Sequence, residues 1–261
     1  MGQRRRRRLR LDRLLAPVIV LILLIFCCVK LVSCFSTESA PVVKKTAATA
    51  PPTEAHKFTV VLDAGHGGDT DPGCISADNT RMEKDDDLAM CLLIKQAFAA
   101  YPDVNVILTR STDVFVTLDG RCDIANQNNA DLFVAIHRNS AEVGRGVEAW
   151  ISNKAGNAET VLAEALINAL VSVGVSENRG VAKGYRDDPD SNYRVNSGTN
   201  CASCLLEIGF LSDAKDNQDF DAKKEQYAKA IADSLVATGK RLGMYSGGAP
   251  VGTEPAVTTT S

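Results

Sequence analysis

Short apolar stretches alternate with longer segments of helical periodicity along most of this chain, and that alternation constrains the fold more than any other feature. The stretches FTVVLDAG (58–65) and DLFVAIH (131–137) read as buried strands, the first from its run of β-branched residues. We predict further strands at 104–110 and 146–152 and a fifth strand within 201–212 that ends near Glu207, and helices at 83–101, 118–130, 157–174 and 223–243. Strands that alternate with helices predict a layered α/β fold with a largely parallel sheet.

The first 35 residues have a different character. A basic cluster (1–13) precedes an apolar run from Leu14 to Val29, which is close to the lower limit of about 17 residues for a membrane span. We predict a basic cytoplasmic head (1–13) and an uncleaved transmembrane anchor (14–35), because arginines stay on the cytoplasmic side. Two alternatives are a cleaved secretory signal and a lipoprotein that begins at Cys34 of LVSC. All three place the later residues outside the cytoplasmic membrane.

The segments that flank the predicted domain lack hydrophobic periodicity. Residues 36–56 are rich in Ala, Thr and Pro and are predicted to form a flexible tether, and residues 244–261 a disordered tail. The domain therefore spans 57–243. Residues 1–35 hold eight of the 29 basic and one of the 32 acidic residues, which leaves the remainder with a net charge of −10. Such an acidic domain is a poor nucleic-acid binder, so nucleic acid is not a predicted partner.

Four ionisable residues are placed where functional groups gather in parallel sheets. His66 follows the first strand, His137 closes the strand DLFVAIH, Glu207 closes CLLE, and Glu83 begins a helix. Two histidines and a carboxylate match the ligand set of a catalytic zinc site, and the other carboxylate can transfer protons. Glu207 is the most informative of the four, because a carboxylate inside CLLEIGFL is costly unless it is paired, coordinated or functional.

Simpler interpretations stand beside this one. A histidine after a strand is more often packed or solvated than bound to metal, and a glutamate at a helix start often only complements the helix dipole. The CASC segment offers a redox or disulfide pair, Cys201 and Cys204, or two buried apolar side chains. Cys74 is a further, weaker candidate as a metal ligand. A domain without metal, or a binding protein without activity, remains an alternative at this level.

Four segments carry a resemblance to a known family. VVLDAGHGGDTDPG, EKDDDLA, TRSTDVFVTLDGRCDIANQNNADLFVAIHRNSA and LLEIGFLSDAKD occur in the order found in the zinc-dependent N-acetylmuramoyl-L-alanine amidases of the type-3 family, and the chain resembles that family over 58–243. The resemblance implies one zinc ion held by His66, Glu83 and His137, with Glu207 as the catalytic glutamate. It implies a single three-layer α/β domain with a mixed, mostly parallel sheet of about six strands flanked by helices.

The resemblance also implies a substrate. The expected reaction is hydrolysis of the amide between N-acetylmuramic acid and L-alanine in peptidoglycan. From the N-terminal segment we separately expect the domain to be anchored to the cytoplasmic membrane and to act outside it, and we expect a monomer. We expect Asn139, Asn192 and Arg194 to lie near the stem peptide, and glycines around His66 to keep the metal accessible. Arg138 departs from the family pattern and is interpreted as a solvated rim residue or, less favoured, a contact for a substrate carboxylate.

Overall fold

Six strands form one sheet at the centre of this computed structural model, which describes residues 56–175 and 177–251. The strands are β1 (Thr59–Ala64), β2 (Asn105–Leu108), β3 (Leu132–Asn139), β4 (Val147–Ile151), β5 (Asn178–Lys183) and β6 (Ala202–Phe210). The helices are α1 (Glu83–Ala97), α2 (Leu118–Gln127), α3 (Asn157–Ser172), α4 (Arg194–Gly198) and α5 (Ala214–Arg241), and a 3₁₀ turn (Phe98–Ala100) follows α1.

The strand order is β2-β1-β3-β6-β4-β5. Strands β2, β1, β3 and β6 are parallel, whereas β4 is antiparallel to β6 and parallel to β5. The sheet is therefore mixed and mostly parallel, as predicted. The last of the described strands in chain order, β6, lies in the interior of the sheet between β3 and β4.

Helices cover both faces of the sheet, and the two layers differ in size. The larger core lies under α1, α3 and α5, and includes Leu162, Leu166 and Leu170 of α3 at helical spacing. The smaller core lies under α2 and α4. Every residue of β1 and β6 is buried because both faces of these strands are covered, which explains their nearly continuous apolar sequences.

The five predicted strands and four predicted helices are all present, with differences at the less apolar segments. Strand β5 and helix α4 were not predicted, since NRGVAK is a half-exposed edge strand and α4 has only five residues. Helix α5 begins at 214 rather than 223, because Asp213 caps a polar first turn by accepting a hydrogen bond from the Asp216 amide (2.9 Å). Strand β6 continues three residues past Glu207.

Several predictions concern the ends of the domain. The head (1–13), the membrane segment (14–35) and most of the tether lie outside the described residues. No helix within 56–175 and 177–251 is long and apolar enough to span a membrane. The predicted tail starts too early, because Met244 and Tyr245 pack against the core and the Tyr245 ring stacks on Phe58 at 5.2 Å between centroids.

The CASC pair does not form a disulfide. All five cysteines of the described residues are free. Cys204 belongs to the larger core, while Cys201 packs against the smaller core on the other face of the sheet. Successive strand residues alternate between faces, so two positions an odd number apart point in opposite directions. The interpretation as apolar packing fits the structure, and the disulfide interpretation was wrong.

Candidate metal centre

The loop after β1 presents His66 in an unusual backbone conformation. His66 has φ of +54°, in the left-handed region that non-glycine residues seldom adopt. Two buried arginines hold this turn by its carbonyls: Arg110 donates to the Ala64 and Gly65 oxygens (3.0 and 2.7 Å), and Arg121 donates to the His66 oxygen (2.7 Å). These hydrogen bonds stabilise the strained turn and hold the backbone from which the imidazole projects.

Two carboxylates orient the His66 ring. The Asp71 Oδ1 atom lies 2.6 Å from Nδ1 of His66, which leaves Nε2 as the ring nitrogen directed to the centre of the site. The Glu83 Oε1 atom lies 3.3 Å from that Nε2. Glu83 is the first residue of α1, and its other oxygen accepts a hydrogen bond from the Cys74 amide (2.8 Å). The carboxylate is therefore held at both oxygens.

His137 completes a cluster of three donor groups. Its Nδ1 atom lies 2.9 Å from the same Glu83 Oε1, and the two imidazole rings approach edge to face with centroids 5.0 Å apart. Residues from β3, from the start of α1 and from the β1 loop thus bring two ring nitrogens and one carboxylate oxygen around one point. This donor set fits the ligand set of a catalytic zinc site, which takes nitrogen and oxygen donors at similar separations.

Glycines give these ligands the space they occupy. A Cβ atom on Gly65 would lie 2.3 Å from Cε1 of His137, and one on Gly73 would lie 2.7 Å from both the Glu83 Oε2 and His66 Cδ2 atoms. The sequence interpretation assigned the glycines to substrate access. Gly65 and Gly73 are also required by close contacts within the protein, beside the ligating side chains, and the role in substrate access stays a prediction.

The electrostatics of the cluster favour a cation. Burial by itself would lower the pKa of His66. The hydrogen bonds and negative charges of Glu83 and Asp71 outweigh this effect and raise the pKa of His66 to about 9. Burial likewise would raise the pKa of the Glu83 carboxyl, yet hydrogen bonds to His137 and His66 hold it well below its ordinary value. Positive charge is therefore stabilised between these groups, and metal binding there releases protons.

Glu207 lies beside the cluster for a reason that can be read from strand register. His137 of β3 pairs with Glu207 of β6, which in turn pairs with Glu148 of β4, so the three side chains form a row across one face of the sheet. Burial raises the pKa of Glu207 to about 7, although His137 partly offsets this effect. Its Oε2 atom is buried and makes no hydrogen bond with the described residues. A carboxyl with this pKa can both accept and donate a proton near neutral pH.

Asp87 is a member of the cluster that sequence reasoning missed. It is fully buried one helical turn after Glu83, and neither of its oxygens has a hydrogen-bond partner among the described residues. Donor atoms of His66, Glu83, Asp87 and His137 all lie within 4.8 Å of one another. Burial first, and then Glu83 and Glu207, raise the pKa of Asp87 well above its ordinary value. The i, i+4 spacing from Glu83 was the signal in the sequence.

The cluster opens into a cleft of about 920 Å³ that also contains the predicted substrate contacts. Asn139 is buried on the cleft floor and donates to Glu148 Oε1 (2.7 Å). Asn192 forms paired hydrogen bonds with Asn153, and Arg194 is turned toward Asp119 with its Nε atom 2.7 Å from the carboxylate. The structure thus brings all seven predicted site residues to one cleft, and their roles stay predictions.

Both interpretations of Arg138 were wrong. Its side chain is 1% exposed and points to the opposite face of the sheet from His137, as alternation along β3 requires. One nitrogen pairs with Asp86, another donates to Asn217 (2.7 Å), and the guanidinium lies 4.3 Å from the centroid of the Phe220 ring. Arg138 is therefore a structural link between β3, α1 and α5, with its guanidinium buried on the face of the sheet opposite His137.

Comparison with known proteins agrees with this geometry. Residues 60–237 match the family described as N-acetylmuramoyl-L-alanine amidase. The chain is 33% identical over 180 residues to the uncharacterized protein YqiI of Bacillus subtilis, covering 68% of this chain and 81% of that protein. It is 32% identical over 182 residues to the endolysin of Bacillus phage SPP1, covering 67% of this chain and 62% of the endolysin.

A solved structure gives the same result for the fold. The crystal structure of N-acetylmuramoyl-L-alanine amidase from Clostridium difficile 630 superposes with a TM-score of 0.63 at 29% identity. The match covers 74% of this chain and all of that one.

Proposed function

The chain belongs to the N-acetylmuramoyl-L-alanine amidase family, and from this membership we propose that it hydrolyses the amide between the lactyl group of N-acetylmuramic acid and the L-alanine of peptidoglycan stem peptides. Members of this family are hydrolases of the cell wall. The observation that carries the proposal is the convergence of His66, Glu83 and His137 around one point, with the buried carboxyl of Glu207 on the neighbouring strand.

We assign His66, Glu83 and His137 as ligands of one zinc ion. A zinc ion held there supplies a Lewis acid, which polarises the amide carbonyl and lowers the pKa of a water molecule. Asp71 holds His66 in the tautomer that leaves Nε2 for the metal, since it accepts a hydrogen bond at Nδ1. The Cys74 amide fixes the second oxygen of Glu83, so that the carboxylate keeps one oxygen directed to the imidazoles.

Glu207 moves the proton in the proposed reaction. It accepts a proton from the attacking water, whose oxygen forms a bond with the lactyl carbonyl carbon. It then returns this proton to the alanine nitrogen as the carbon–nitrogen bond breaks, which yields a carboxylic acid and a free amine. Burial beside His137 supports this role, because it raises the pKa of Glu207 to about 7 and makes both directions of transfer accessible near neutral pH.

Product analysis tests the function directly. Wild-type protein is incubated with purified sacculi, and the soluble products are identified by mass spectrometry. An amidase frees whole peptides that begin with L-alanine, whereas a peptidase cuts within the stem. We expect Glu207→Gln to retain zinc and to release no peptides, while Glu164→Gln, the same change at an exposed position of α3, behaves as wild type. Products that lack an N-terminal L-alanine would refute the proposal.

The location and assembly of the protein are separate proposals. We infer that residues 14–35 anchor the chain in the cytoplasmic membrane as a single pass, that the domain acts outside the cytoplasm, and that it is a monomer. The basic cluster before the apolar run supports this orientation. Full-length protein should remain in membranes after alkaline extraction and be degraded by protease added to intact spheroplasts. Release of the chain by alkali would instead indicate a cleaved signal.

A further inference from the structure

Arg186 lies on an ordered loop at the edge of the cleft. The loop connects β5 to α4, and two asparagines hold it in place. Asn153 donates to the backbone oxygens of Pro189 and Asp190 (3.1 and 2.9 Å), and it exchanges two hydrogen bonds with the Asn192 side chain (2.7 and 3.0 Å). The position of Arg186 is therefore fixed by the fold.

The guanidinium of Arg186 is attached to the cleft floor at one nitrogen. Its Nη2 atom donates to Asn139 Oδ1 (2.8 Å) and to Glu148 Oε1 (3.1 Å), and lies 4.0 Å from Glu207 Oε1. The Nε and Nη1 atoms make no hydrogen bond with the described residues, and the side chain is 34% exposed. The group is thus oriented by the protein and keeps N–H donors available to a ligand in the cleft.

The carboxylate of Glu148 does not serve Arg186 alone. Glu148 also accepts a hydrogen bond from Arg179 Nε (2.7 Å), so one carboxylate is shared by two guanidinium groups. The other arginines of the cleft cannot take the same role. Arg121 and Arg138 are almost fully buried, and the third, Arg194, pairs with Asp119. Arg186 is therefore the cleft arginine that is partly exposed and that forms an ion pair with the proposed proton-transfer group among the described residues.

We propose that Arg186 is a specificity residue that binds a carboxylate of the stem peptide close to the bond that is cut. This inference rests on the proposed function. When Glu207 donates to the alanine nitrogen, the two groups are about 3 Å apart, and the arginine is 4.0 Å from Glu207. The Cα of the next peptide residue lies about 3.8 Å from the alanine Cα, so in a substrate that runs from Glu207 toward Arg186 the carboxyl group of that residue comes within reach of the guanidinium.

The second residue of the stem peptide supplies the appropriate chemistry. Where that residue is a glutamyl residue linked through its γ-carboxyl, its α-carboxyl is either a free carboxylate or a carboxamide. A guanidinium binds a carboxylate through charge-assisted hydrogen bonds and binds a neutral amide less strongly. Arg186 therefore favours stem peptides whose second residue carries the free carboxylate.

Two forms of one substrate test this proposal. Glycan strands carry either the L-alanyl-γ-D-glutamyl-L-lysine peptide or its analogue with an α-carboxamide, and kcat and KM are measured for both. We expect wild type to prefer the carboxylate form by about tenfold in kcat/KM, mainly through KM. Arg186→Gln should reduce this preference to near unity, and Arg186→Lys should retain part of it. Arg179→Gln is the matched control, because it removes the other guanidinium on Glu148, and it should keep the preference.

The outcomes separate this proposal from the general one. The specificity role is overturned if wild type cleaves both forms equally. It is also overturned if Arg186→Gln lowers kcat on both forms but keeps the preference for the carboxylate form. Wild type that releases no peptide beginning with L-alanine from either form refutes the proposed function itself. Zinc content and thermal unfolding of each variant establish that it is folded. If Arg186→Gln does not fold, Arg186→Lys decides, and a preference equal to that of wild type overturns the proposal.

Discussion

Replacement of Asp71 by alanine should weaken zinc binding without removing a ligand. The Asp71 carboxylate lies 2.6 Å from Nδ1 of His66, and it is the contact that keeps Nε2 directed to the site. Loss of such a partner lowers metal affinity about 10- to 100-fold. Because the Asp71 side chain is 37% exposed, water can partly replace it, and we expect a value near tenfold, or about 1.4 kcal/mol. The loop should persist, since the Asp71 backbone oxygen still accepts a hydrogen bond from Gly67 (2.8 Å).

The assay is competition for zinc between the purified protein and a chromophoric chelator. Asp71→Asn keeps an acceptor but loses the charge, so its affinity should fall between those of wild type and Asp71→Ala. Asp69→Ala, an exposed position in the same loop, is the control and should bind zinc as wild type does. At saturating zinc, Asp71→Ala should recover most of its activity. An Asp71→Ala variant with wild-type zinc affinity would refute the assigned role of Asp71.

Three further changes test the packing around the site. Gly65→Ala should lower zinc affinity at least tenfold, because its Cβ would lie 2.3 Å from Cε1 of His137, and chelator competition measures this. Arg138→Met should lower the free energy of unfolding by about 3 kcal/mol in urea, since it leaves Asp86 buried without that partner. The third change concerns the pH dependence of stability with chelator present. Burial raises the pKa of Asp87, so above about pH 4 the folded chain retains a proton that the unfolded chain releases. The free energy of unfolding of wild type should therefore fall as pH rises from about 4. Asp87→Asn should reduce this loss, measured as the change in Tm between pH 5 and pH 8.

Each of these has a result that would contradict it. Normal zinc affinity in the Gly65→Ala variant would show that the loop and His137 move apart easily. A cost below about 1 kcal/mol for Arg138→Met would mean that Arg81, which also pairs with Asp86 (2.7 Å), carries that contact alone. Equal pH dependence in wild type and Asp87→Asn would mean that Asp87 is not the group that titrates.

The candidate site was largely predictable because its main residues are marked by local patterns. His66 and His137 follow apolar strand residues, and Glu207 interrupts an apolar run, so each could be placed on the sheet before its neighbours were known. The strand order that brings β3 beside β6 was not predictable from these patterns. Pairing between strands so far apart in the chain depends on the packing of the whole sheet.

The errors have physical causes of two kinds. Arg138 was misjudged although alternation along a strand places residue 138 opposite His137, and the same alternation separates Cys201 from Cys204, which excludes the disulfide alternative. Arg186 could not have been found in this way. Its importance depends on a loop that tertiary contacts hold over Glu148, and neither strand periodicity nor helical spacing describes that loop.

The position of β6 has a consequence for biosynthesis. This strand lies inside the sheet, yet it is the last of the six to leave the ribosome, and it brings Glu207 with it. A nascent chain that stops before residue 202 lacks both the bridge between β3 and β4 and the proposed proton carrier. Under the proposed mechanism, incomplete chains therefore lack amidase activity, and activity arises in one step when translation of the domain is nearly finished.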